Sequence, residues 1–293
     1  MSAIHPFAWH NDAMVNGADI RLSPFQTGLL TGWGLFSTLR IYRGVPFALE
    51  EHWHRLETDG ARLHVDLTGL EAEARRGFAA LIERNPAREA VARIYCIRNR
   101  GGLLDVPSPR ATDLLIFTRE LRSWGATARL RLQPHGRHAA APLAGTKTLT
   151  WAHNLVLIED ANRDGFDDVL LLNERGEVAE CTAANVFAVR GGVVLTPPID
   201  SGALPGVSRR VVLEAGPRHG LRVEERRLFP DDLHAAEEVF ITSSTREVQP
   251  VVALGERAVP LGPVAGRVAE LFRSEVNAYI QARAAAAAPP QGA

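Results

Sequence analysis

Two hairpins stand almost back to back in this chain, and they limit its architecture more than any other stretch. DDVLLLNERGEVAE (167–180) and NVFAVRGGVVLTPP (185–198) each set runs of Val, Leu or Phe on either side of a turn, Asn-Glu-Arg-Gly-Glu in the first and Arg190-Gly191-Gly192 in the second. Branched and aromatic side chains fit a pleated sheet, and glycine supplies the left-handed backbone of a short hairpin turn. Short strands therefore dominate the middle of the chain. ARLRLQP (128–134) adds another, while TLTWAHNLVLIEDANRDG (148–165), VSRRVVLEAGPRHG (207–220) and GRVAELFRSEVNAYIQAR (266–283) place apolar residues at helical spacing. The earlier part differs. GVPFALEEHWHRLETDGARLHV (44–65) reads as a strand end and then a helix from about Leu49 with acids in its first turn, and ATDLLIFTREL (111–121) reads as a buried strand. The expectation is an α+β chain of two domains: a smaller α/β domain over 1–120, a linker at 121–126 and a larger hairpin-rich domain over 127–283. The tail AAAAAPPQGA (284–293) has too little core-forming content to order.

Bulk composition removes several classes of function. The 293 residues are 46% hydrophobic, enough for a substantial core. The formal net charge of −1 gives no global basic field for nucleic acid or an anionic membrane, so the expected partner is a small molecule. Cys96 and Cys181 are too few for a disulfide framework and read as buried, inert thiols. The N-terminal MSAIHPFAWHND lacks a leader pattern, and no apolar run approaches the roughly 18 residues of a spanning helix, so a cytoplasmic protein is expected.

One basic residue stands apart. Of the 33 Lys and Arg, only Lys147, within GTKTLTWAHN (145–154), is lysine; the other 33 − 1 = 32 are arginine. Arginine serves solubility and ion pairing about as well, but it cannot lose its proton near neutral pH and present a nucleophilic amine. Lys147 is thus a candidate nucleophile, set against chance survival in an Arg-biased genome. In a small-molecule enzyme such an amine points to a Schiff base with pyridoxal phosphate, which needs donors for its phosphate, an acid opposite its pyridine nitrogen and a wall for its ring. GALPGVSR (202–209) opens a helix at a Gly-bounded turn, so the N–H groups of Val207 and Ser208 and the Ser208 hydroxyl can converge on an anion. ITSSTREV (241–248) offers four consecutive hydroxyl residues at a second turn. GEVAECTAANVF (176–187) sets one acid, Glu180, among small and apolar neighbours, either facing solvent or buried against a cation.

In this order, FSTLR (36–40), EEHWHRL (50–56), Lys147, GEVAECTAANVF, LPGVSR (204–209) and EVFITSSTREVQPV (238–251) resemble the fold-type IV pyridoxal-phosphate enzymes from about residue 8 to 280. That family holds branched-chain and D-amino acid aminotransferases, R-selective amine transaminases and aminodeoxychorismate lyases. The resemblance implies a cofactor enclosed by two domains and a homodimer. It makes Lys147 the covalent attachment point and proton shuttle, Arg55 a phosphate ligand, and Glu180 the carboxylate at the pyridine nitrogen. Leu204 packs on the ring; Val207, Ser208 and Ser244 complete the phosphate contacts, and the backbone N–H of Thr245 helps hold a substrate carboxylate. No metal is expected at His52 and His54, because residues two apart on a helix face different directions and no third ligand accompanies them.

The branch within the family is less marked. D-amino acid aminotransferases carry an Arg-x-His carboxylate trap where IRNRGGLLDVP (97–107) has Leu103 and Asp105. Branched-chain enzymes show Phe-Glu-Gly-x-Arg and Tyr-x-Arg, of which FSTLR and RIYCIR (93–98) keep Arg40 and Tyr95 but lose Glu-Gly. The lyases are similar at ECTAANVF and at Ser37-Thr38. Substrate contacts are expected from Thr38, Arg40, Tyr95, Arg98 and Thr245. Arg246, with Arg98 and Arg100, is read as positive charge near the cleft, able to grip a carboxylate through two parallel hydrogen bonds. The expected function is amino transfer from an amino acid to a 2-oxo acid by a ping-pong cycle. The alternatives are aminodeoxychorismate lyase and a non-catalytic pyridoxal-phosphate-binding protein.

Overall fold

A computed structural model describes residues 3–100 and 108–287. By contacts the chain divides into two compact units, one of residues 1–122, 147–150 and 276–293, the other of residues 123–146 and 151–275. Neither is continuous in sequence, unlike the domains read from composition.

The first unit contains β1 (Ile4–His10), β2 (Ala13–Asn16), α1 (Thr27–Thr31), β3 (Gly34–Tyr42), β4 (Val45–Pro46), α2 (Leu49–Leu63), α3 (Leu70–Arg84), β5 (Ala90–Arg98) and β6 (Thr112–Arg119). Its six strands among the described residues form one antiparallel sheet in the order β2-β1-β6-β5-β3-β4. Strand alternation sends Leu35, Leu39, Ile41, Ile94, Cys96, Leu114 and Ile116 to one face, where Trp53, Leu56, Phe78 and Leu81 of α2 and α3 meet them. Close packing there fixes small residues. A Cβ on Gly77 of α3 would lie 2.7 Å from the ring of Trp9. The sequence expectation of a helix from Leu49 with acids in its first turn agrees with α2, whose Glu50 and Glu51 lie at its positive end.

Residues 147–150 join this sheet through β3. Phe36 N–H donates to the Lys147 carbonyl at 3.1 Å and Leu149 N–H to the Gly34 carbonyl at 3.0 Å, with a bridge between Leu35 and Thr148. The helical pattern read over 148–165 accordingly begins only at Ala152. At the other end of the chain, Tyr279 packs edge-on against Phe47 and its hydroxyl donates to Glu50 at 2.7 Å.

The second unit holds β7 (Ala128–Gln133), α4 (Ala152–Arg163), β8 (Asp168–Leu172), β9 (Val178–Cys181), β10 (Asn185–Arg190), β11 (Val193–Thr196), α5 (Val207–Ala215), β12 (Arg222–Glu225), α6 (Pro230–His234), β13 (Glu238–Ser243), β14 (Glu247–Leu254) and β15 (Arg257–Ala258). α7 spans Pro263–Ala287, so residues 284–287, expected to be unstructured, close that helix. The strands run β12-β11-β10-β13-β14-β7-β8-β9 in a mixed sheet, with β15 beside β14. Both opening hairpins are present. Gly191 and Gly192 both carry positive φ, 56° and 71°, the requirement of a two-residue turn. In the first, the Asn173 side chain accepts from the N–H groups of Arg175 and Glu177.

This sheet is buried on both faces. Val186 and Ala188 of β10 point into a cluster with Leu130, Leu170 and Ile241, whereas Phe187 and Val189 meet Val212 of α5 and Val268 and Leu271 of α7. Phe187 and Phe240 stack at 4.9 Å. A buried acid starts α7: the carboxylate of Glu238 accepts from the N–H groups of Val264 and Ala265 at 2.7 and 2.8 Å. Among the described residues no helix is long and apolar enough to cross a membrane.

Candidate active site

In the first unit the chemistry gathers where β3, α2 and the Lys147 segment meet. The Lys147 amine sits 4.6 Å from the centre of the Phe36 ring, and its backbone N–H donates to Asp59 at 3.1 Å. His52 and Arg55, one turn apart on α2, both turn inward, while His54 between them is exposed. Arg55 donates to the Ser37 hydroxyl at 2.9 Å, and that hydroxyl lies 2.8 Å from Nδ1 of His52. Burial, then the charges of Arg55 and Lys147, hold the His52 imidazole well below its ordinary pKa. Burial pushes the Asp59 carboxyl up, opposed by the Lys147 N–H and by Arg55, Arg62 and Lys147. Three residues here, Ser37, His52 and Asp59, were given no site role by sequence reasoning; the Glu-to-Ser change at FSTLR was the one signal present.

The other face of β3 carries an aromatic ladder. Phe36 stacks on Tyr95 at 6.0 Å and Tyr95 on Phe117 at 5.7 Å, and Arg93 donates to the Tyr95 hydroxyl at 3.0 Å. Strand register sets Thr38 opposite Arg93. Arg119 feels both Arg93 and Arg122, and burial with these like charges lowers its pKa. Arg93 and Arg119 are additions that only the register reveals. Arg40 lies 4.0 Å from Glu89 with its guanidinium over Tyr42. Arg98 covers the Trp33 ring at 4.0 Å and donates to the Arg100 carbonyl, and Arg100 donates to the Ser108 carbonyl. Those two arginines pin backbone. Leu103 and Asp105 lie outside the described residues.

In the second unit Glu180 is fixed from two sides. Its Oε1 accepts from Nε and Nη2 of Arg137 at 3.2 and 3.1 Å, and its Oε2 accepts from Leu204 N–H at 3.0 Å. Arg137 is itself placed by Asn154, 3.1 Å away. Of the four lone-pair positions on the carboxylate, three are filled, and one on Oε2 remains for a further donor. Of the two readings left open for Glu180, burial against a cation is the one observed.

The Leu204 carbonyl accepts from Asn185 at 2.9 Å, so both backbone groups of that residue are held just before α5. Gly206 caps α5 without a side-chain hydrogen bond, and a Cβ there would fall 2.0 Å from Oδ1 of Asn185. The helix therefore begins with the N–H groups of Val207 and Ser208 at a glycine cradle, and the Ser208 side chain is buried. Ser244 and Thr245 lie half-buried in the turn between β13 and β14, which closes with Glu247 at φ +58°.

Arg246 corrects an expectation. It is buried, not presented to a ligand: Nη2 pairs with Asp168 at 2.9 Å, Nη1 donates to Gln249 at 2.8 Å, and the guanidinium lies 4.0 Å from the Trp124 ring. Asp168 accepts in addition from Thr182 and Val169. The residue types suggested a carboxylate grip; the carboxylate it grips is the protein's own.

In the first unit a lysine amine and a buried arginine suit an aldehyde and a phosphate. In the second, a glycine cradle at a helix N-terminus suits an anion, and a carboxylate paired with Arg137 suits a ring N–H donor. Residues 34–254 match the family model described as amino-transferase class IV, and the chain belongs to that family of enzymes. It is 28% identical over 284 residues to the aminodeoxychorismate lyase of Bacillus subtilis, covering 92% of this chain and 94% of that protein. It is 25% identical over 287 residues to the branched-chain-amino-acid aminotransferase of Escherichia coli, covering 91% of each. Among solved structures, the T.th. branched-chain amino acid aminotransferase complexed with N-(5'-phosphopyridoxyl)-L-glutamate superposes with a TM-score of 0.84 at 26% identity, covering 94% of this chain and 95% of that one. The α+β fold and the fold-type IV relationship implied by the motifs are thereby established.

Proposed function

We propose that this chain is a pyridoxal-phosphate-dependent aminotransferase that moves an amino group from an amino acid to a 2-oxo acid in a ping-pong cycle. The observation that carries this reading is Lys147, the only lysine, with its amine over Phe36 and its backbone held to Asp59. When bound, the cofactor supplies the electron sink that makes a Cα proton removable and the carbonyl that stores the amino group between the two halves of the cycle. Lys147 Nζ would hold the cofactor covalently, and its free amine would take and return that proton. Glu180, kept in place by Arg137 and Leu204, would accept from the pyridine N–H. Arg55, the N–H groups of Val207 and Ser208, and the hydroxyls of Ser208 and Ser244 would hold the phosphate. Leu204 would lie against the ring, and Thr38, Tyr95 and Thr245 would orient substrate. With Arg246 committed to Asp168, Arg93 beside Tyr95 takes its place as the candidate for a substrate carboxylate.

A second reading, aminodeoxychorismate lyase, is favoured by the Bacillus subtilis relative and by Ser37-Thr38 in place of Glu-Gly. Elimination needs no acceptor. Holoenzyme mixed with L- and D-amino acids and primary amines, followed by absorbance, is expected to convert to the amine form of the cofactor and to be restored by 2-oxoglutarate; turnover of aminodeoxychorismate with no acceptor present would favour the lyase. Exposed Leu155 and Val156 on α4 support a homodimer, which a molar mass of one chain by light scattering would refute.

A further inference from the structure

Arg55 is one of few arginines here that is almost wholly buried, and the groups that orient it are unusual. Ser37, on β3, is fully buried and His52, on α2, is 1% exposed. Arginine has no acceptor, so in the 2.9 Å contact Arg55 Nη2 must donate and the Ser37 oxygen must accept. The Ser37 hydroxyl proton then needs a home. The only acceptor in place for it among the described residues is Nδ1 of His52, 2.8 Å away. A buried hydroxyl left without an acceptor costs more than a made bond gains, so the arrangement with Nδ1 bare and the proton on Nε2 is favoured. The surroundings agree with a neutral ring: burial beside Arg55 and Lys147 disfavours a charged imidazole.

We propose that Ser37 and His52 form a neutral relay of fixed direction, Arg55 Nη2–H to Ser37 Oγ–H to His52 Nδ1, whose task is to set the plane of the Arg55 guanidinium for a phosphate. The proposal rests on the reading of Arg55 as a phosphate ligand. A hydroxyl and a neutral imidazole fix its geometry without adding a charge of their own, whereas a carboxylate in the place of Ser37 would add a further acid to Asp59, with which Arg55 already interacts. Ser37 and His52 are positioning residues; neither touches the reacting atoms.

The test compares two aldehydes that differ only in the phosphate. Apoenzyme is titrated with pyridoxal phosphate and with pyridoxal, following the bound chromophore, for wild type, Arg55→Ala, Ser37→Ala, Ser37→Thr, His52→Leu and His52→Asn. Ser37→Ala and His52→Leu are expected to weaken pyridoxal phosphate by about three- to tenfold and leave pyridoxal unchanged. Ser37→Thr keeps the hydroxyl and His52→Asn keeps an acceptor near the Nδ1 position, so both are expected to stay within about twofold of wild type. Equal weakening of both aldehydes, or no weakening of either, overturns the relay while Arg55→Ala still shows a phosphate-selective loss. If Arg55→Ala itself shows no such loss, the phosphate reading of Arg55 has failed instead. Nitrogen-15 spectra of the wild-type histidines give a check that no variant's folding can spoil: His52 is expected neutral with its proton on Nε2, and a proton on Nδ1 overturns the proposal.

Discussion

Lys147→Arg keeps a cation over Phe36 and removes the only amine side chain, so it separates charge from nucleophilicity. Amino transfer is expected to fall below detection with the melting temperature within a few degrees of wild type, and borohydride is expected to fix the cofactor to Lys147 in the wild type alone. A labelled peptide from elsewhere in the chain would overturn the assignment. At Arg246 the expected outcome is of another kind. Its partner Asp168 is completely buried, and truncation leaves that carboxylate without its cation, a loss of about 3 to 5 kcal/mol. Urea unfolding of Arg246→Ala measures this directly. Activity of whatever remains folded is expected to drop alike for amino acids and for amines without a carboxylate; a loss confined to carboxylate-bearing donors would restore Arg246 to the substrate.

Helix α5 shows how an element can be built for its first turn. Its start has no capping side chain, and Gly206 lets the chain pass within van der Waals reach of Asn185. In Gly206→Ala the new methyl and the Asn185 amide cannot both stay, although alanine suits the helix as such. Pyridoxal phosphate affinity is expected to fall by about tenfold or more, with pyridoxal little changed, and an unchanged affinity would show that the opening of α5 is not a phosphate site. The hairpin between β13 and β14 is a related case. It places Glu247 at a positive φ that glycine usually fills, next to the turn holding Ser244 and Thr245.

For the whole molecule, one buried histidine makes stability depend on pH. The folded-state pKa of His52 is depressed, so the unfolded chain takes up the proton first as pH falls below 6.5, and stability declines from there toward the lower folded value. Asp59 acts oppositely: its raised pKa adds stability at low pH that is lost as pH rises above 3.8. The difference between wild type and His52→Asn isolates the histidine. Wild type is expected to lose stability more steeply than the variant between about pH 6.5 and 5, and parallel curves would refute a buried neutral His52. What the sequence determined by itself were the features that live on short stretches: the two glycine hairpins, the start of α2, the Gly-bounded opening of α5, and Lys147 as the single amine among arginines. Each depends on neighbours a few positions away, so local spacing suffices. Tertiary structure alone decided the partners of the buried charges. Arg246 and Asp168 are 78 positions apart, Arg137 and Glu180 are 43, and Ser37 meets Arg55 only because β3 and α2 pack face to face. A charged side chain reads alike in sequence whether it faces a ligand or an acid of its own chain; strand register and burial tell the two apart, because a charge removed from water must find its counterpart wherever the fold has placed one.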